Sequence, residues 1–139
     1  MEGPVRITIT SRSLFDGGAE TLHFAGAGTL RPTAAGWDLP YTAACRENGA
    51  ALSSRIRLTA EPRRAILWTL GPEGYGLPLD PAHETQARLP MGLTVTARTQ
   101  MLDFSLEGPE GCINLAYTLL DRGLPLSRMQ LTIRITKET

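Results

Sequence analysis

From Val5 onward the chain exchanges apolar and polar residues at almost every position, with Val5, Ile7 and Ile9 set against Arg6, Thr8 and Thr10. A period of two is what a strand with one buried face demands, because successive side chains of a strand point to opposite faces. The pattern returns in Trp37, Leu39, Tyr41 and Ala43, and again in Leu52, Ile56 and Leu58 against Ser53, Arg55, Arg57 and Thr59. It returns a third time in Ile113, Leu115, Tyr117 and Leu119, and closes the chain in Met129, Leu131, Ile133 and Ile135. No window carries the i, i+3, i+4, i+7 stripe of an amphipathic helix, which excludes helical bundles and α/β folds.

Turn signals separate the runs: Asp16-Gly17-Gly18, Ala34-Ala35-Gly36, Asn48-Gly49, Glu61-Pro62-Arg63-Arg64, Gly71-Pro72-Glu73-Gly74, Gly108-Pro109-Glu110-Gly111 and Asp121-Arg122-Gly123. Connections this short join antiparallel neighbours, since parallel strands need long crossovers. Leu93, Val95, Ala97, Thr99 and Met101 share one parity, while Leu102, Phe104 and Leu106 take the other. The inward face therefore switches near Met101-Leu102, as a β-bulge or a barrel bend makes it do. Between Tyr75 and Pro90, the prolines Pro78, Pro81 and Pro90 point to an irregular strand or long loop, with at most one helical turn near Ala82–Gln86.

These runs predict eight to ten antiparallel strands with little or no helix, in one domain spanning residues 1–139. A flat sheet of that width would expose two edges and an apolar face. Closure into a barrel removes both, and a two-sheet sandwich is the alternative.

The charge balance, 14 Lys+Arg against 14 Asp+Glu, provides no global field to gather nucleic acid or anionic lipid. No apolar run approaches the roughly 18 residues of a membrane span. Met1-Glu2-Gly3-Pro4 leads straight into a strand without the layout of a secretory signal, so the expected location is cytoplasmic. Cys45 and Cys112, without a CxxC motif, are expected as reduced thiols.

The chemistry-bearing residues form no strong constellation. His23 alternates with Leu22 and Phe24 and is expected to face solvent. Asp80, His83 and Glu84 sit together, but a proline-broken loop does not fix the three or four ligands zinc requires, so no metal and no cofactor are expected. There is no GxSxG motif, and no phosphate-binding glycine motif opening a helix. Gly26-Ala27-Gly28 and Gly74-Tyr75-Gly76 read as bends. Arg55, Arg57, Arg63 and Arg64 make one basic cluster, with Trp68 beyond the next turn and out of stacking position, which argues against nucleic acid.

Three segments carry a family likeness: Gly92–Thr99 (GLTVTART), Ile113–Tyr117 (INLAY) and Met129–Ile135 (MQLTIRI). With the looser spacing of Asp16, Gly36 and Leu39-Pro40-Tyr41, the chain resembles the YwiB-like family of uncharacterised calycin-like β-barrels, small bacterial proteins typical of Firmicutes. The resemblance implies a closed calycin- or lipocalin-like barrel of eight to ten strands, a cytoplasmic location and no assigned activity. The chain departs from the family in having Thr42-Ala43 after Tyr41, where an acidic residue is usual, and Thr69-Leu70 before Gly71, where an arginine is common. If those residues line a shared site, this chain has a less polar version of it or none.

The expected function is non-enzymatic binding of a small, largely apolar ligand inside the barrel. Trp37, Tyr41, Trp68, Thr99 and Tyr117 are the candidate lining, because Tyr and Trp join an apolar body to a polar tip. The small residues Ala25, Gly26, Ala43, Ala97 and Thr99 would leave room. The alternative is a protein-interaction or homodimerisation module presenting Leu77, Leu79, Leu89 and Met91. An enzyme is a third reading without a residue set behind it. No membrane partner is expected.

Overall fold

The computed structural model describes residues 1–70 and 74–138, with the side chain of Met91 outside the description. It contains ten strands: β1 (Gly3–Phe15), β2 (Gly18–Pro32), β3 (Gly36–Cys45), β4 (Ala51–Thr59), β5 (Arg64–Thr69), β6 (Tyr75–Leu79), β7 (Thr85–Arg88), β8 (Thr94–Ser105), β9 (Glu110–Asp121) and β10 (Leu124–Lys137). A 3-10 turn, Pro90–Gly92, precedes β8. All the ladders are antiparallel, in the order β6-β5-β4-β3-β2-β1-β10-β9-β8-β7. The sheet curls until β6 and β7 lie against each other, where the Thr85 hydroxyl donates to the Pro78 carbonyl. The result is a nearly closed barrel, with β6 and β7 at its seam. No helix among the described residues is long and apolar enough to cross a membrane.

The alternation of the sequence becomes the wall of this barrel. Val5, Ile7 and Ile9 of β1 and Ile133 and Ile135 of β10 point inward, and the two strands pair along nearly their full length, tying the N-terminal strand to the C-terminal one. Each such side chain removed from water contributes about 1.5–3 kcal/mol. β2 can bend sharply against β3 because its inner positions carry Gly26 and Gly28. A Cβ at Gly26 would lie 1.9 Å from the Thr42 carbonyl oxygen, and one at Gly28 would lie 2.5 Å from that of Pro40.

The predicted face switch in β8 is a bulge. Thr99 opposes Tyr117 and Met101 opposes Ala116, leaving Gln100 as the extra residue. The inward series therefore runs Val95, Ala97, Thr99 and then Leu102, and Met101 is 50% exposed instead of sharing the inner face. Leu93 is likewise exposed, lying ahead of β8. Ala25 faces outward, since the inner parity of β2 belongs to Phe24 and Gly26.

The stretch from Tyr75 to Pro90 is more regular than the prolines suggest. It forms two short strands around a turn at residues 81–83, with no helical turn between Ala82 and Gln86. Pro78 is accommodated because β6 stands at the end of the ladder order, where a missing amide hydrogen is tolerated. The expected turn Gly71-Pro72-Glu73-Gly74 lies largely outside the described residues. Leu77 and Leu79 are core residues and Leu89 packs partly against the core, so these three do not form an apolar face for a partner; the side chain of Met91 lies outside the description. Among the described residues, the exposed large apolar groups are instead Phe15, Leu124 and Leu126, at the tips of the β1–β2 and β9–β10 hairpins, with Leu70, Leu93 and Met101 elsewhere.

Candidate functional site

The barrel interior divides into two halves. Where β3 begins and β4 ends, Leu30, Leu39, Leu58 and Leu79 pack with Val5 and Ile135 and fill the space. Where β3 ends and β4 begins, the strands contribute bulky residues with hydroxyl tips, and a cavity of about 210 Å³ remains. Its walls include Tyr41 of β3, Ser54 of β4, Tyr75 of β6 and Tyr117 of β9, with Phe24 and Leu131 among the apolar lining.

The three tyrosines converge. Burial raises the Tyr117 phenol well above its ordinary range, and the nearby Tyr75 and Tyr41 phenols push it in the same direction. Burial also raises Tyr41, partly offset by the Ser54 hydroxyl beside it. Both phenols are therefore neutral across the physiological range, each able to donate and accept one hydrogen bond. Ser54 is fixed in turn by donating to the Trp68 carbonyl across the β4–β5 ladder. No Asp, Glu, Lys, Arg or His is among the residues lining the cavity.

Of the five residues singled out from sequence, Tyr41 and Tyr117 line this cavity. Thr99 is buried directly opposite Tyr117 in the β8–β9 ladder, and its hydroxyl has no hydrogen-bond partner among the described residues. Trp37 points inward but belongs to the filled half, paired with Leu58 and packed against the core. Trp68 is not in the lumen. On β5 the inward positions are Ala65 and Leu67, which turns Trp68 to the outer face.

Trp68 lands within the basic cluster from which the sequence reading excluded it. Antiparallel pairing sets it directly opposite Arg55, and the guanidinium groups of Arg55 and Arg57 each lie 5.4 Å from its ring centre. A turn that separates two residues along the chain brings them together across a hairpin. Arg55 also forks onto the buried Asp38, with bonds of 2.8 and 2.9 Å, and this pair holds the Asp38 carboxyl below its usual range. Arg63 leaves the cluster for Asp103 and the Phe104 ring.

Sequence reasoning missed Ser11, Ser54 and Tyr75. Ser11 and Ser54 share inward parity with Ile9 and Ile56, so the pattern held that signal. Tyr75 opens a proline-rich segment without a readable period.

The remaining polar clusters are held by local ion pairs and hydrogen bonds. His23 is half-buried, with its ring nitrogen 3.1 Å from Glu47. Asp80 accepts the Ala82 amide and lies 3.4 Å from both Arg64 and His83, while Glu84 turns away to Arg98. No group of three or more His, Cys, Asp or Glu positioned to hold a metal occurs among the described residues. Cys45 and Cys112 are free thiols.

No protein-family model and no curated protein sequence matches the chain. Among solved structures, the crystal structure of the ywiB protein from Bacillus subtilis is similar, with a TM-score of 0.80 and 18% identity over 99% of this chain and 94% of that one. At that identity the likeness bears on fold alone, and the chain shares the YwiB barrel from end to end.

Proposed function

We propose that the barrel is a non-enzymatic binding protein whose half-open interior takes one small, neutral, largely apolar molecule with a single hydrogen-bonding group. The observation that carries this reading is the cavity of about 210 Å³ lined by three phenols and no charged side chain. It is smaller than the roughly 300–1,000 Å³ of drug-sized pockets, which suits a fragment-sized ligand such as a phenol or a medium-chain alcohol. A charged group entering the cavity would lose its hydration without meeting a counter-ion, which disfavours carboxylates and amines. A hydroxyl or carbonyl would be met by Tyr41 or Tyr117. The lining offers no carboxylate, imidazole or thiol to act as acid, base or nucleophile, which supports binding over turnover.

The test is titration of the ¹⁵N-labelled protein with 1-octanol and 1-naphthol, read by chemical shift. The expected shifts fall on the cavity halves of β3, β4 and β9. Tyr117→Phe weakens binding by about fivefold to tenfold, and octanoate binds at least about tenfold more weakly than octanol. The proposal is overturned if neither neutral compound shifts those residues at millimolar concentration, or if octanoate binds as well as octanol.

A further inference from the structure

Outside the barrel wall, independent of the lumen, the strands near the seam form a second concave site. Arg57 of β4 stands opposite Ile66 of β5, and Ile66 opposite Pro78 of β6, while the next row pairs Thr59 with Arg64. Alternate residues share a face, so these side chains project outward together. With Thr85 of β7 and Asp80 they enclose a groove of about 450 Å³.

Its electrostatics are uneven for a chain of zero formal charge. Arg57 makes no ion pair among the described residues. Arg64 depends on Asp80, whose carboxylate also accepts the Ala82 amide at 2.9 Å and lies 3.4 Å from His83. Asp38, directly across the β3–β4 ladder from Arg57, is bound by the fork from Arg55 and acts on Arg57 through longer-range charge alone, with Arg31 opposite it on β2. Two guanidinium groups thus border the groove, one unpaired and one sharing its carboxylate. Arg57 is also held in place: its guanidinium lies 5.4 Å from the Trp68 ring centre, and the indole is seated over Gly76, where a Cβ would come within 2.8 Å of Nε1.

We propose that this groove binds a small organic phosphate. The phosphate would sit between Arg57 and Arg64 within reach of the Thr59 hydroxyl, and the flat or apolar organic part would lie on Ile66 and Pro78. Guanidinium suits a phosphate because its planar fork gives paired donors to two oxygens. The apolar strip between the cationic rim and the β7 seam distinguishes an ester from inorganic phosphate alone.

Calorimetric titration of the full chain with AMP, phenyl phosphate, adenosine and inorganic phosphate tests this, with Trp68 fluorescence as a second readout because the indole touches Arg57. AMP and phenyl phosphate are expected to bind more tightly than inorganic phosphate, adenosine is expected to bind at least about tenfold more weakly than AMP, and added salt is expected to weaken the esters. Arg57→Gln and Arg64→Gln should each lose about tenfold in affinity, whereas Arg128→Gln on β10 and Tyr117→Phe in the lumen should lose none. The outer-face variants are surface changes, and circular dichroism verifies that they fold. The proposal is overturned if neither ester binds at millimolar concentration, or if binding survives the Arg57→Gln/Arg64→Gln double variant. Tighter binding of a single-stranded oligonucleotide than of AMP also overturns it, because the site would then be a nucleic-acid surface.

Discussion

In one half of the barrel, Leu39 of β3, Leu58 of β4 and Leu79 of β6 are each 1% exposed. In the other half the same three strands supply Tyr41, Ser54 and Tyr75 to the wall of a cavity. Backbone and topology are shared, so the difference comes from the side chains. Branched aliphatic groups can be packed to crystal-like density with no partner but each other. Burying a hydroxyl dry without a hydrogen bond costs free energy, so tyrosine and serine tips hold open a space that a further leucine would have closed. One half is packed solid, and the other keeps an open cavity.

The largest expected effect comes from testing that division by truncation. Leu58→Ala should cost about 2–5 kcal/mol, because the filled half cannot collapse around the void. Leu67→Ala, at the wall of the existing cavity, should cost less than half as much, since its side chain is only partly buried and leaves few contacts behind. Urea denaturation of the two variants measures both. Equal losses would break the comparison and mean that the cavity half is packed as firmly as the other.

A second test falls on the outer wall of the filled half, where Asp38 holds Arg55. Asp38→Asn should cost about 1–2 kcal/mol at neutral pH, the lower end being favoured because Arg55 is partly exposed. The pH dependence has a definite sign. The Asp38 carboxyl is held below its ordinary value in the folded protein, so its contribution is complete above about pH 5 and is lost as acid protonates it below about pH 4. Wild-type and variant denaturation midpoints should therefore separate at neutral pH and converge in acid. A constant gap down to about pH 2 would assign the effect to packing instead of charge.

The architecture was legible because its determinants are local. Strict alternation fixed which residues of β1, β3, β9 and β10 face inward, and the glycine turns fixed their antiparallel order. The Met101-Leu102 parity break marked the bulge to within a residue. The site was legible only in part, because a cavity is a relation among distant strands. Tyr41 and Tyr117 could be chosen by parity and chemistry, but nothing in the chain records that Trp37 ends in the filled half. The placement of Trp68 failed for a different reason. Its outward parity was readable from Ala65 and Leu67, but its contact with Arg55 and Arg57 depends on the β4–β5 register, which is set by the whole hairpin. Tyr75 was hidden by prolines, which signal disruption along the chain and are tolerated at a strand on the seam.

Thr99 stands in the same ladder row as the cavity residues Tyr117 and Met129 and gives the smallest and sharpest test. It is the last inward residue before the bulge, it opposes Tyr117, and its buried hydroxyl has no partner among the described residues. Such a hydroxyl gives up its hydration on folding and recovers nothing, so replacing it with a methyl group of the same shape should not destabilise. Thr99→Val is expected to raise stability by up to about 1 kcal/mol and to leave octanol affinity unchanged, because Thr99 is not part of the cavity wall. A loss of stability would mean that the hydroxyl is satisfied in solution by a water reaching in from the cavity, which would extend the polar site past Tyr117 to the bulge. A gain in stability with weaker octanol binding would instead make Thr99 the group that positions the Tyr117 phenol. The two measurements together decide whether the polar site ends at Tyr117 or reaches Thr99 beside the bulge.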